Sequence, residues 1–135
     1  LFSAKLYLVT APNHLGCPKF SLEDGSLPLM NYTDDSYMGK KVNKFLQEHQ
    51  SHSFSTTFVS SMSILLKDMI KGGYVVGWLP DYSIQDELKN NELMVIPLKN
   101  SVLSVDIYLY RSSSRLNAAS EGLWSFVKAI DWEIT

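Results

Sequence analysis

The stretch Val59–Tyr82 limits what this chain can fold into more than any other part of it. Met62, Leu65, Leu66, Met69 and Ile70 recur at i, i+3, i+4, i+7 and i+8, the spacing of one helical face. Ser60 or Ser61 stands where a hydroxyl can accept from a first-turn N–H and cap the start. Gly72 and Gly73 stop the helix, because glycine enters the left-handed region without a Cβ clash. Tyr74–Leu79 is then almost continuously apolar, as in a parallel strand covered on both faces, and Pro80 ends it. A strand end, a helix, a glycine stop and a buried strand in that order make a βαβ unit, which implies a layered α/β fold.

The flanking sequence extends the same pattern. Lys5–Thr10 reads as a strand, Ala11–Pro18 as a loop and Phe20–Asp24 as one helical turn. Pro28–Tyr32 reads as a buried strand. Asp34 or Asp35 would cap a helix reaching about Gln47, with Met38, Val42, Phe45 and Leu46 as its apolar stripe. Phe54–Val59 is a β-branched and aromatic strand. Asp81–Lys89 gives a short helix, Leu93–Leu98 a strand, and Val102–Tyr110 a long strand with Leu103, Val105, Ile107 and Leu109 on its apolar side. A last helix, Asn117–Ile130, is expected to bury Leu123, Phe126, Val127 and Ile130.

A chain of 135 residues with 45% hydrophobic residues can bury one real core. Its net charge of −2 gives no basic footprint for nucleic acid, and no apolar run approaches membrane-spanning length. Cys17 is the only cysteine, which rules out an intrachain disulfide and suits a reducing cytoplasm. The opening Leu1-Phe-Ser-Ala has neither an initiator methionine nor a signal pattern, so a trimmed chain or fragment is expected.

Helix, Gly-Gly, hydrophobic strand, Trp78-Leu-Pro80 and a short acidic helix together resemble the effector-binding domain of LysR-type transcriptional regulators. The likeness continues through Asp86–Ile96. Asn31-Tyr32, Ser36–Gly39, Phe58–Ser63 and Trp78-Leu-Pro80 are most similar to the hypochlorite-responsive branch of that family. The resemblance implies a periplasmic-binding-protein-like type II α/β fold of two lobes joined by crossover strands. Lys5–Thr10 and the region around Leu98–Leu103 would be the crossovers. Residues 12–97 would form the second lobe, and residues 102–135 the last strand and helix of the first. The rest of the first lobe, and the helix-turn-helix through which the family binds DNA, would precede Leu1. The implied protein is a homo-oligomeric, non-enzymatic, cytoplasmic sensor of a small-molecule effector or an oxidant, with no cofactor. A solute-binding protein of the same two-lobe type and a small α/β enzyme are the rivals. The first needs a secretion signal and two complete lobes, the second a convergent catalytic set, and the sequence shows none of these.

The helix starts at 34–38 and 61–62 are the best site candidates. In open α/β sheets ligands bind beyond the carboxyl ends of strands, where helix N–H groups are free. Thr33, Ser36, Ser60 and Ser61 could add hydroxyls for an effector, or serve only as caps and turn residues. Asp34 and Asp35 would repel a carboxylate there. By resemblance, Met38 and Met62 match methionines whose oxidation is the proposed signal in the hypochlorite-responsive branch. Oxidation turns a thioether into a polar sulfoxide that reductases can reverse. Met30, Met69 and Met94 read as packing. His49 and His52 lack a third metal ligand and read as solvated surface. No phosphate loop or nucleophile elbow occurs. Glu23, Asp24, Asp86 and Glu87 read as solvated carboxylates, and Trp78 as core.

Overall fold

The computed structural model describes residues 2–49 and 53–131. Strand β1 (Phe2–Thr10) is the spine of the molecule. Its alternating buried side chains, Ala4, Leu6 and Leu8, face the core. Strand β4 (Gly77–Pro80) runs antiparallel to it, from Leu6↔Pro80 to Val9↔Gly77. Strand β5 (Met94–Val95) pairs Val9↔Val95, and strand β6 (Leu103–Ile107) pairs Phe2↔Ile107 through Leu6↔Leu103, both also antiparallel. Leu6 and Val9 each therefore carry two strand partners, so β5 and β6 lie on the side of β1 opposite β4.

Strands β2 (Leu27–Asn31) and β3 (Phe54–Val59) form a parallel pair, with β3 as a largely exposed edge. Val76 joins this pair to the rest. Its N–H donates to the Pro28 carbonyl at 2.8 Å, and its carbonyl accepts from Met30 N–H at 2.9 Å. Strands β2, β3 and the entry to β4 thus point their carboxyl ends the same way.

Two helices cover this sheet. Helix α1 (Tyr37–Glu48) buries Gly39, Val42 and Phe45, and helix α2 (Ser63–Lys71) buries Leu66 and Ile70. Each fully buried aliphatic or aromatic side chain contributes roughly 1.5–3 kcal/mol. Trp78 sits at the centre, 1% exposed. Phe45 and Phe54 meet it at centroid distances of 5.4 and 5.6 Å. Its indole N–H donates to the Ser101 carbonyl at 2.8 Å, so the ring is buried without an orphaned donor. Short helix α3 (Gln85–Lys89) follows a 3₁₀ turn at Asp81–Ser83, and helix α4 (Ala118–Ala129) closes the described chain. No helix of the described residues is long and apolar enough to cross a membrane.

Several sequence expectations need correction. Ser36, not Asp34 or Asp35, caps α1; its hydroxyl accepts from Gly39 N–H at 2.9 Å. Neither Ser60 nor Ser61 caps α2, whose N-cap is Met62. The α2 stripe is narrower than its periodicity, because Met62 and Leu65 are 57% and 43% exposed. The strand expected at Tyr74–Leu79 is regular only over Gly77–Pro80 and is antiparallel to β1. Tyr74 faces solvent, and Gly73, at φ +81°, turns the chain out of α2 in the left-handed conformation glycine allows. Strands β5 and β6 are shorter than expected, and Leu109 is exposed. Glu87 is not a plain solvated carboxylate: Lys67 Nζ reaches it at 2.5 Å and also donates to the Ser83 carbonyl. Helix α4 buries none of its residues, and Leu123 and Phe126 are 62% and 66% exposed. Its amphipathic face exists without a covering surface among the described residues.

Candidate functional site at the carboxyl edge of the sheet

Asn31 and Val59 end adjacent parallel strands, and Ser60 N–H donates to the Asn31 carbonyl at 3.0 Å. The loops entering α1 and α2 therefore leave one sheet edge side by side. That is the geometry in which two helix N-termini share a crevice. Thr33, Ser36, Ser60 and Ser61 all lie on these two loops.

The four hydroxyls are not equivalent. The Ser36 hydroxyl donates to the Thr33 carbonyl at 2.7 Å while it caps α1. Ser60 Oγ accepts from Met62 N–H at 3.1 Å. Both are committed to holding their loops. The Thr33 and Ser61 side chains make no hydrogen bond among the described residues. Gly39 makes the tight α1 entry possible. A Cβ there would lie 2.1 Å from the Thr33 carbonyl oxygen, well inside contact distance.

A buried polar chain supports this edge. Asn31, 5% exposed, donates through Nδ2 to Asn43 Oδ1 at 2.8 Å and accepts from Tyr32 N–H at 2.7 Å. Asn43 in turn donates to Asp34 Oδ1 at 3.1 Å, which draws that carboxylate along the flank of α1 and away from its capping role. Tyr32, 3% exposed, donates its phenol proton to the Trp78 carbonyl at 2.8 Å. Burial, and secondarily Tyr82, push the Tyr32 phenol far above its ordinary range, so it stays a donor. The sequence reading did not single out Asn43 or the roles of Asn31 and Tyr32. The only available signal was polar residues at a buried strand end facing a helix.

The two singled-out methionines occupy different environments. Met38 lies in the first turn of α1, partly buried against the core. Met62 is itself the α2 N-cap, is 57% exposed, and its side chain accepts no cap hydrogen bond. Its carbonyl already accepts from Leu65 and Leu66 N–H at 3.1 and 3.2 Å. Met30 is buried, and Met69 packs against the core. His49 stacks on Phe45 at 4.3 Å, with Nδ1 3.1 Å from the Phe45 carbonyl; its expected companion His52 lies outside the described residues. No group of three metal-ligating side chains occurs among the described residues.

Comparison with known proteins gives this edge a context. Residues 1–131 match the family model described as the LysR substrate binding domain. The chain is 38% identical over 131 residues to the HTH domain-truncated transcriptional regulator QseD of Escherichia coli O157:H7, covering 97% of this chain and 54% of that protein. It is equally identical, at 38%, to the HTH-type transcriptional regulator YjiE of Escherichia coli K12, of which it covers 43%. Among solved structures it resembles full-length HypT from Salmonella typhimurium, described as a hypochlorite-specific LysR-type transcriptional regulator. That likeness has a TM-score of 0.88 at 39% identity, over 95% of this chain and 44% of the other. The chain spans about half the length of the curated relatives it matches. The fold is the periplasmic-binding-protein-like type II arrangement of such regulatory domains.

Proposed function

The chain belongs to the LysR substrate-binding family, and from that premise we propose that it is the sensing part of a transcriptional regulator responsive to hypochlorite. In this reading residues 12–97 form the second lobe of the sensor, and residues 102–135 contribute the closing strand and helix of the first. DNA is bound only through a helix-turn-helix outside this chain, the assembly is a homo-oligomer, and the sensor does no catalytic turnover.

The observation that carries the reading is Met62 at the uncapped start of α2, beside the loop that enters α1. Hypochlorous acid transfers its oxygen to the thioether; the sulfur loses two electrons, and chloride and a proton leave. The sulfoxide oxygen is a strong acceptor placed beside first-turn N–H groups that the thioether cannot serve. Oxidation of Met62 thereby favours a conformation of the α2 entry that the reduced protein does not need. At Met38 the same chemistry puts a polar oxygen among packed side chains, which costs free energy unless the packing shifts. Both changes act at one sheet edge and bias the arrangement of the lobes. Support comes from the exposure of Met62, the position of both residues at helix starts, and the 39% identity to a hypochlorite-specific regulator.

The test is peptide mapping after mild hypochlorite treatment. Met62 is expected to oxidise first, Met38 next, and Met30 last. If Met62 and Met38 stay reduced while other methionines react, the redox reading is wrong. The same holds if Met→Ile at both positions leaves the oxidant response of the whole regulator intact. An ordinary effector held by the Thr33 and Ser61 hydroxyls would then take its place, since these two are left uncommitted by the loop geometry.

A further inference from the structure

We propose that the chain carries a second small-molecule site, for an organic anion, in the cavity between the carboxyl-terminal half of α1 and the start of β6. The cavity has a volume of about 520 Å³, lined on one side by Lys41, Lys44, Phe45 and His49 and on the other by Asn100, Leu103 and Ser104. That volume falls in the range of ligand pockets, roughly 300–1,000 Å³. It is not part of the sheet-edge site. Helix α1 has 12 residues, so at about 1.5 Å rise per residue its two ends are separated by roughly 15–20 Å. The sheet-edge loops precede its first residue, whereas the lining of this cavity runs from Lys41 in its second turn to His49 at its C-cap.

The chemistry favours an anion. The ion pairs of the described residues engage Lys67, Lys71 and Arg111, and leave Lys41 and Lys44 without a carboxylate partner. The Lys41 ammonium rests over the Tyr37 ring at 5.6 Å, a weak hold that an oxyanion can outcompete. Among the described residues Glu48 is the one carboxylate of the lining, so the two lysines leave the wall net positive. His49 donates through Nδ1 to the Phe45 carbonyl, so its ring forms part of the wall and the two lysines supply the donors for the anion. Asn100 and Ser104 add an amide and a hydroxyl on the facing wall, and Asn100 is held in a left-handed turn at φ +64°. Val102, which is exposed, and half-buried Leu103 add apolar surface beside these polar groups. A compact inorganic ion would leave that surface unused. The fitting ligand has a phosphate or carboxylate head and a small apolar body.

Titrating the ¹⁵N-labelled chain with phenyl phosphate at low ionic strength tests this. Amide shifts at residues 41–49 and 100–104 are expected to saturate with a dissociation constant of about 1 mM or below. Benzoate is expected to shift the same amides, and inorganic phosphate to bind more weakly than either organic anion. Lys44→Glu is expected to weaken phenyl phosphate binding at least about tenfold. Lys89→Glu makes the same charge change on α3, away from the cavity, and is expected to leave binding within about twofold. Shifts that never saturate would overturn the proposal. So would equal weakening by both variants, or saturation confined to residues 33–39 and 60–65.

Discussion

Replacing Tyr32 by Phe removes one oxygen atom from the support of the sheet's carboxyl edge and leaves the ring in place. The lost atom is the donor to the Trp78 carbonyl at 2.8 Å, in a site only 3% exposed. A hydrogen bond of this kind contributes a net ~1 kcal/mol, and the stranded buried acceptor adds to the cost. At neutral pH, Tyr32→Phe is therefore expected to destabilise the chain by about 1–2 kcal/mol. The penalty should change with pH, and the sign follows from the phenol. Burial raises the folded-state pKa above the ordinary value of 10.0, so the unfolded chain ionises first. The stabilisation by the neutral phenol is complete below about pH 10. Above it the unfolded state holds fewer protons than the folded one, and stability falls by up to ~1.4 kcal/mol per pH unit. Phenylalanine has no such term. The two proteins should converge as pH rises from 10 towards 11. Urea unfolding followed by tryptophan fluorescence, from pH 7 to 11, measures this directly. Tyr82 also has a raised phenol, but it is present in both proteins and cancels. Parallel stability curves, or a neutral-pH difference under about 0.3 kcal/mol, would refute the burial and bonding assigned to Tyr32.

Gly39→Ala is expected to cost about 1–3 kcal/mol, because its Cβ would lie 2.1 Å from the Thr33 carbonyl oxygen, and the loop that carries Thr33 should lose hydrogen-exchange protection first. Glu121→Gln should abolish an acid-sensitive element. Arg111 and then the Leu116 N–H hold the Glu121 carboxyl down to about 2, so the wild type keeps this contribution above the ordinary carboxylate value of 4.5 and loses it as pH falls towards 2. The variant's order around α4, read by amide exchange, should not change over that window. Leu123→Asp with Phe126→Asp should leave the monomer's stability nearly unchanged, since both side chains are already exposed. Sedimentation of wild type and variant would show whether that face drives self-association; loss of folding in the variant would contradict the exposure assigned to it.

The sequence was informative wherever one residue type answered one local requirement. The Val59–Tyr82 pattern located α2, its glycine exit and the buried strand, because periodicity and glycine stereochemistry act over a few residues. Trp78 as core and the α1 stripe of Met38, Val42, Phe45 and Leu46 were legible for the same reason. Caps were harder. Asp34, Asp35 and Ser36 are all good caps, and only the tertiary bond from Asn43 to Asp34 and the Ser36–Thr33 contact decide among them. The same limit hid Met62 as an N-cap, since a methionine there has no local advantage over Ser60 or Ser61. Strand direction was also hidden. The apolar run through Val75 and Leu79 reads as parallel, yet Val76 bonds parallel to β2 while Gly77–Pro80 pairs antiparallel with β1. One run thus serves two neighbours, and burial on both faces looks alike in either case.

Helix α4 separates what amphipathicity shows from what it does not. The spacing of Leu123, Phe126, Val127 and Ile130 gave the helix and its apolar face correctly, but not the surface that would cover it. Covering such a face is a property of two partners, and only one of them is described. Polar, local contacts help to hold α4 in place: Arg111 bonds Glu121 through both terminal guanidinium nitrogens and rests 5.3 Å over the Trp124 ring. That clamp fixes the helix relative to residues 111–116 and leaves Leu123 and Phe126 outward. The helix can therefore keep one shape whether its apolar face is wet or covered.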